Sequence, residues 1–363
     1  MKETITHIIK KITADFTEEK LHDSFRNIGI DSIDLITIRV EIENLFGKAF
    51  SEEKWFSFAT PTDIVDFLKK NKSMLILKSK IPKNAFEIQR TIEVNMPQMA
   101  NAGLSENWLF KEIGDIHWKG ICDGLQTTSS DLVDKFGDRL YATFIAISIT
   151  YKPLIEFKEN QVLQFKGKVD RYGDNIYRTR IIGNNNLRAE LLTSFTKRGD
   201  KGNSVLQKSV PSGTKNDIKE IALPPFLQEY KLVRKKLVEE IVVAKRKFQL
   251  SAESFFEIIH SIIPCYEING VGLLYFAAYP IISDIGELAY LKTIKNADKP
   301  EIAYFTIARK VFYFANCDST DSVIYQLNSF EEEGSYIKIQ SSLYRQSDRK
   351  LMAKIFTVKK INK

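Results

Sequence analysis

The spacing of apolar residues changes once along this chain, which limits it to a helical module followed by a body built mainly of strands. Up to Leu68 the apolar residues recur at helical intervals; beyond a lysine-rich run at 69–80 they gather into β-branched and aromatic stretches. Residues 4–14 place Ile5, Ile8, Ile9 and Ile12 on one helical face. Ser32 opens a second predicted helix, with Ile33, Ile36, Val40 and Leu45 expected inward and an end near Gly47. Thr60-Pro61-Thr62-Asp63 reads as a capping box with proline at the first helical position, starting a third helix.

Beyond the lysines, strands are predicted over 140–151, 162–171, 176–182 and 188–196. They return over 303–314, 322–327, 336–344 and 350–359. Between the two sets, residues 197–225 are rich in Gly, Ser, Pro, Asn and Lys and read as a linker. The halves form a weak repeat. Met96-Pro97-Gln98 leads into the run from Gly103 to Phe110 and then Gly114-Asp115; Asn269-Gly270 leads into Gly272-Leu273-Leu274-Tyr275-Phe276 and then Asp284 to Glu287. Each half continues in a Tyr-led strand. A mostly apolar helix followed by antiparallel strands suits a sheet wrapped around a central helix, and two such units make a double hotdog. The expected fold class is α+β, a helical bundle followed by a double-hotdog domain with antiparallel sheets around central helices. The expected boundaries are 1–73 for the bundle, 74–85 for a linker, 86–198 for the first hotdog, 199–227 for the inter-hotdog linker and 228–363 for the second hotdog.

Composition narrows the function. At 44% hydrophobic and 27% charged residues the chain reads as an ordinary globular protein. No stretch supplies the roughly 20 apolar residues of a membrane span; the nearest, 268–283, is broken by Asn269, two glycines and Pro280 and reads as a buried helix. The helically spaced N-terminus, interrupted by Lys10 and Lys11, is not expected to act as a secretory signal. Cys122, Cys265 and Cys317 lack metal or disulfide spacing, so no metal is expected and a cytoplasmic location follows. Residues 13–68 carry five Lys/Arg against twelve Asp/Glu, while the whole chain is at +7. An acidic module on a basic body favours docking between them and attraction of an anionic ligand such as coenzyme A. Nucleic acid is not an expected partner, because the basic residues are scattered and no recognition motif accompanies them.

The segment Asn27-Ile28-Gly29-Ile30-Asp31-Ser32-Ile33-Asp34-Leu35 resembles the acyl carrier protein signature, with Ile33 in place of the usual leucine. Val40-Glu41-Ile42-Glu43-Asn44-Leu45-Phe46-Gly47 resembles that family's second helix. The resemblance implies 4'-phosphopantetheine on Ser32, attached by a phosphopantetheinyl transferase. Asp31, Asp34, Glu41 and Glu43 are expected to form an acidic face for basic partners. The plainer account makes Ser32 a helix N-cap.

Met96-Pro97-Gln98-Met99, Gly103-Leu104-Ser105-Glu106-Asn107-Trp108-Leu109 and Gly114-Asp115-Ile116-His117-Trp118 resemble the opening of the bifunctional acyltransferase/decarboxylases of the leinamycin polyketide pathway. Asn269-Gly270-Val271-Gly272-Leu273-Leu274-Tyr275-Phe276 is similar to that family's second half. The resemblance implies that methylmalonyl is taken from coenzyme A, loses carbon dioxide, and reaches a carrier thiol as propionyl through a tyrosine, here Tyr141. A phenol needs a base or a cation to attack at neutral pH, and the enolate left by decarboxylation needs N–H donors. The start of a central helix, reached through Gly103 and Leu104, suits that need, with Ser105, Glu106, Asn107 and His117 as pocket candidates. The Ser32 arm is an acceptor already tethered.

Each candidate has a structural account as well. Tyr141 begins a strand, where tyrosine is favoured for packing. Ser105, Glu106 and Asn107 suit a helix cap and first turn, His117 suits a helix C-terminus, and Asp115, Asp284 and the Tyr275-Phe276 pair suit structural roles. Two other functions compete. One is a hotdog thioesterase or dehydratase acting on the tethered acyl chain with Glu106 as its carboxylate, although 271–283 holds no acid or histidine. The other is a non-catalytic carrier and docking protein. The expected partners are acyl-CoA, the phosphopantetheinyl transferase and synthase components of polyketide or fatty-acid type; no membrane partner is expected, and a homo-oligomer is compatible.

Overall fold

Four helices form from the N-terminal pattern: α1 (Lys2–Lys10), α2 (Ser32–Phe46), α3 (Glu52–Phe56) and α4 (Pro61–Lys70). The structure is a computed structural model that describes residues 1–70, 76–77, 84–101, 103–184, 186–199, 202–295 and 303–361. The chain divides into two units, Met1–Lys83 and Asn84–Lys363. Most of the expected linker at 69–80 lies outside the described residues.

In the N-terminal unit, Ile5, Ile9, Ile38, Ile42, Ile64 and Leu68 meet in one core that also takes Phe16, Phe50 and Trp55. Helix α2 stops at Gly47, whose φ of 61° is left-handed and suits a residue without a side chain. Buried Arg39 ties α2 to α3. Its Nε donates to Glu43 at 2.8 Å, its Nη2 to the Phe50 carbonyl at 2.9 Å, and its Nη1 to Glu52. Burial works against the charge on Arg39, but Glu43 and Glu52 outweigh it and hold the guanidinium above its ordinary pKa.

Three expectations fail here. Leu45, expected inward, is 58% exposed, because it faces away from the core on which its neighbour Phe46 packs. Glu43 is buried on Arg39, and Asp34 is wholly buried. The acidic face therefore keeps only Asp31 and Glu41 of the four residues expected. Arg39→Met should lower α2 amide protection in hydrogen exchange by roughly a hundredfold, as follows from about 3 kcal/mol for a broken buried ion pair. Unchanged protection would contradict the tie.

The second unit is built from two repeats. The first has β1 (Phe86–Glu93), α5 (Glu106–Gly124), β2 (Tyr141–Thr150), β3 (Val162–Tyr172), β4 (Ile176–Gly183) and β5 (Arg188–Gly199). A connection follows, with β6 (Gly202–Lys208), α6 (Pro225–Arg234) and the hairpin β7 (Glu240–Val243) with β8 (Arg246–Gln249). The second repeat has β9 (Phe256–Ser261), α7 (Ala278–Thr293), β10 (Tyr304–Tyr313), β11 (Ser322–Glu333), β12 (Tyr336–Arg345) and β13 (Leu351–Ile361).

One antiparallel sheet holds both repeats, in the order β9-β11-β12-β13-β10-β2-β5-β4-β3-β1, with β6 beside β5. The repeats join where β10 pairs β2, with Ala308 opposite Thr150 and Phe312 opposite Ala146. The pairing is nearly two-fold: a register irregularity between Phe144 and Ala146 recurs between Thr306 and Ala308. Each central helix carries a glycine that seats an aromatic ring, Gly114 under Phe276 and Gly286 under Tyr325, and a Cβ at either would collide.

The expected strands form close to their predicted bounds, except that β11 runs six residues past 327, while β1 and β9, the first strand of each repeat, and β6, β7 and β8 in the connection were not foreseen. Two readings need correction. Residues 268–283 are not one helix: α7 begins only at Ala278, after a loop in which Asn269 accepts from the Val271 and Leu273 amides. The stretch 197–225 is no free linker, for it holds part of β5 and all of β6. Beyond β6, Ile218 is wholly buried beside Gly124, and Arg171 exchanges main-chain bonds with Lys219 and Ile221.

Candidate functional site

Helix α2 presents Ser32 without using it. Asp31 is the N-cap, its carboxylate accepting from the Ile33 and Asp34 amides at 2.8 and 2.9 Å, and Asp34 accepts in return from the Asp31 amide at 3.3 Å. Ser32 is exposed, and its hydroxyl has no hydrogen-bond partner among the described residues. The plainer account of Ser32 as the cap is therefore set aside. An unengaged hydroxyl on the first turn of a helix is accessible for attachment of a phosphate-linked arm.

In the body, the five residues expected around a helix start do gather there. Gly103, at φ 112°, passes so close to the Leu154 carbonyl that a side chain would not fit, and buried Leu104 pairs with Met99. Ser105 caps α5 by accepting from the Trp108 amide at 3.3 Å. The main-chain N–H groups of Glu106 and Asn107 have no acceptor among the described residues.

Glu106 enters an ion cluster that the sequence reading missed. Arg309, on β10 and with no exposed surface, donates from Nε and Nη2 to Glu106 at 3.0 and 2.9 Å, and from Nη2 to Asp284 at 2.9 Å. Tyr151 donates to Glu106 at 2.5 Å. Behind them, Lys359 on β13 meets Glu287 at 2.6 Å and Asp284 at 3.2 Å, and Ser283 donates to Glu287 at 2.9 Å. Burial alone would raise the Asp284 carboxyl, but Arg309 and Lys359 outweigh it and hold it below the usual range. The same burial, with Glu106 beside it, pushes the Tyr151 phenol well up. The signal in the sequence was an arginine, Arg309, inside an apolar strand, which requires buried acids for its charge.

Asp284 and Glu287 repeat a pattern in α5: Glu112-Ile113-Gly114-Asp115 corresponds to Asp284-Ile285-Gly286-Glu287. In the first repeat those acids pair with Arg90 on β1, at 2.7 Å from buried Glu112. Only the second repeat turns them onto a buried arginine.

Tyr141 does not join the α5 start. It begins β2, opposite Thr196, while Tyr151, the tyrosine bonded to Glu106, follows the other end of the same strand. Ten strand residues span about 33 Å of extended chain. Alternation also sets Tyr141 and Thr143 on the face away from Phe144, which packs 5.6 Å from His117 and 4.0 Å from Phe276 between ring centres. The Tyr141 ring is half-buried, with the Arg139 guanidinium 5.8 Å from its centre, and its hydroxyl has no hydrogen-bond partner among the described residues. Tyr151, Tyr279, Tyr313 and Tyr325, by contrast, are buried with phenol pKa values pushed well up by desolvation.

His117 does not close a helix, since α5 runs on to Gly124. It lies wholly buried between Thr179, 2.6 Å from Nδ1, and Thr193, 2.8 Å from Nε2. Burial lowers its pKa to about 3, so it stays neutral. Among the described residues no group of His, Cys, Asp or Glu could hold a metal, and no helix is long and apolar enough to cross a membrane.

The N-terminal fold and its free serine define a phosphopantetheine carrier module: the family model for the phosphopantetheine attachment site matches residues 3–68. The acyl carrier protein of Coprothermobacter proteolyticus is 30% identical over 71 residues, 20% of this chain and 79% of that protein. Through this module the chain belongs to the acyl carrier protein family, whose prosthetic group is 4'-phosphopantetheine. The body is similar in fold to a 12:0-ACP thioesterase from Umbellularia californica, with 8% identity, a TM-score of 0.50, and coverage of 76% of this chain and 95% of that one. It is also similar to a protein described as an oleoyl thioesterase from Lactobacillus plantarum, with 9% identity, a TM-score of 0.51, and coverage of 78% and 100%. These likenesses establish the hotdog fold alone.

The lowered pKa of His117 has a consequence for stability. Unfolded, this histidine takes up a proton near its ordinary value of about 6.5, and folded it does not, so its contribution is full above that value and is lost as pH falls toward 3. Between about pH 6.5 and 5 it should cost the body about 2 kcal/mol. Urea melts at the two pH values should show this loss in the wild type and not in His117→Gln; equal losses would contradict it.

Proposed function

We propose that the chain loads its own carrier arm, moving an acyl group from a coenzyme A thioester through Tyr141 to a phosphopantetheine thiol on Ser32. The acyl donor is methylmalonyl-CoA, which loses carbon dioxide and arrives as propionyl. The observation that carries the reading is the contrast among the tyrosines. The buried phenols are held protonated or tied to acceptors, whereas half-buried Tyr141 keeps a hydroxyl with no hydrogen-bond partner among the described residues. Further support comes from the exposed, uncapped Ser32 and from body motifs resembling the acyltransferase/decarboxylases.

The position of Tyr141 gives Gly103, Leu104, Ser105, Glu106 and Asn107 no part in holding the acyl group on this tyrosine, and His117 serves the core. The carrier's partners in this reading are a phosphopantetheinyl transferase, acyl-CoA and the synthase that takes the loaded arm. Intact mass of the pantetheinylated full chain after incubation with methylmalonyl-CoA should rise by one propionyl group, with carbon dioxide released. Ser32→Ala should abolish arm loading, and Tyr141→Phe should lower its rate at least a hundredfold. A retained methylmalonyl adduct, or full loading by Tyr141→Phe, would defeat the proposal.

A further inference from the structure

The two edge strands of the sheet are finished differently. On β1, at the first-repeat end, the exposed positions are Glu87, Gln89, Thr91 and Glu93, and Lys168 on β3 meets Glu87 at 3.0 Å. Charged and polar side chains along an edge discourage pairing with another chain. On β9, at the second-repeat end, the exposed positions are Glu257, Ile259 and Ser261, and the one charge among them is engaged by Gln326 at 2.8 Å. Ile259 is 56% exposed, Ile263 beyond the strand 48%, and Phe255 and Tyr266 at its two ends 55% and 78%. Large apolar side chains that reach solvent thus gather along this one edge.

The inner face of β9 is already committed. Phe256 and Ile258 pack on the core, and the His260 ring bonds Glu267 at 2.9 Å. On the outer face, Ile259 lies opposite Ile324 on β11, and Ile324 lies opposite Tyr344 on β12. An apolar and aromatic row therefore crosses three strands and stops at the edge. The positions beside it are polar, with Glu257 opposite Gln326 and Ser261 opposite Ser322. Among the described residues no strand pairs with the other side of β9, so its outward main-chain groups are left for water or for another strand.

We infer that β9 pairs with β9 of a second copy of this chain, joining two sheets into one about a two-fold axis at Ile259. Antiparallel pairing of identical strands about an axis perpendicular to the sheet keeps each face continuous. Centred on Ile259, it sets that residue against its twin, faces each Glu257 with a Ser261, and brings each Phe255 level with an Ile263. The apolar row then continues unbroken into the second sheet. Centring on Glu257 would oppose two carboxylates, and centring on Ile258 would set Glu257 on Ile259, so the side chains select one register. The four exposed apolar residues offer roughly 400 Å² of side-chain surface from each copy, and the paired main chain brings the total to about the 1,000 Å² that a specific interface needs. This contact lies at the far end of the sheet from the β10–β2 pairing and does not rest on transfer through Tyr141.

Sedimentation equilibrium of the full-length chain, up to about 100 μM, reads the association. Wild type should approach twice its 41.7 kDa mass, and Ile259→Lys should stay at the single mass with unchanged circular dichroism. Cysteine pairs in a Cys265→Ser background read the register, because residues directly opposite across two strands lie within the Cα separation a disulfide spans. Under mild oxidation Ile259→Cys should link to itself. Glu257→Cys should not, but should link to Ser261→Cys when the two are mixed. Should Ile259→Lys fail to fold, the cysteine pairs decide. A wild type monomeric throughout, which would leave this edge to an extended peptide of another protein, overturns the inference. So does an Ile259→Lys chain that remains dimeric, or Glu257→Cys linking to itself as readily as Ile259→Cys.

Discussion

The buried guanidinium of Arg309 is the interaction on which the body depends most. A charge with no exposed surface needs compensation, and here it comes from both central helices, Glu106 on α5 and Asp284 with Glu287 on α7. Arg309 also sits on β10, the strand that joins the two repeats through β2. One side chain thus links the inter-repeat sheet pairing to the relative placement of the two helices. Breaking a buried pair on one side leaves unpaired charge, so the cluster locks the seam in one arrangement. That arrangement fixes the start of α5, with its two unused amides, next to a carboxylate of the other repeat.

The same arginine breaks the near two-fold relation between the repeats. The helices carry matching acids, but in the first repeat these pair with the partly exposed Arg90 and in the second with the buried Arg309 and Lys359. The other seam is apolar and aromatic, where Phe276 fills the notch at Gly114 and stacks on Phe144. One seam is therefore equipped for charge and the other for packing. In the carrier, the capping box of Asp31 and Asp34 has a comparable local effect, since it completes the helix end and leaves the serine between them unengaged.

Much of this was legible in the sequence. Eight of the long strands were legible as β-branched and aromatic runs, the residues that pack well on a pleated sheet, and the matched helix-and-strand order of the halves exposed the repeat. The carrier module could be read because the segments 27–35 and 40–47 resemble the carrier signature around Ser32. What could not be read depends on contacts between residues far apart in the chain. Strands β1 and β9 each precede a helix and pair only with strands far along the chain, β3 and β11. Asp34 and Glu43 looked like surface acids because their buried partners, a main-chain amide and Arg39, are set by the fold. Grouping Tyr141 with the α5 start failed for a similar reason. Sequence proximity to the helix concealed that β2 runs the length of the sheet, bringing Tyr151 to Glu106 instead.

The central claim is that a body tyrosine carries the acyl group on its way to the arm, and the order of labelling tests it most directly. The pantetheinylated chain is mixed with methylmalonyl-CoA carrying an isotope-labelled acyl group, quenched at intervals, digested and mapped by mass spectrometry. The account predicts label on the Tyr141 peptide first, decaying as label accumulates on the Ser32 arm. Label appearing on the arm at its full rate with none ever present on Tyr141 would contradict it.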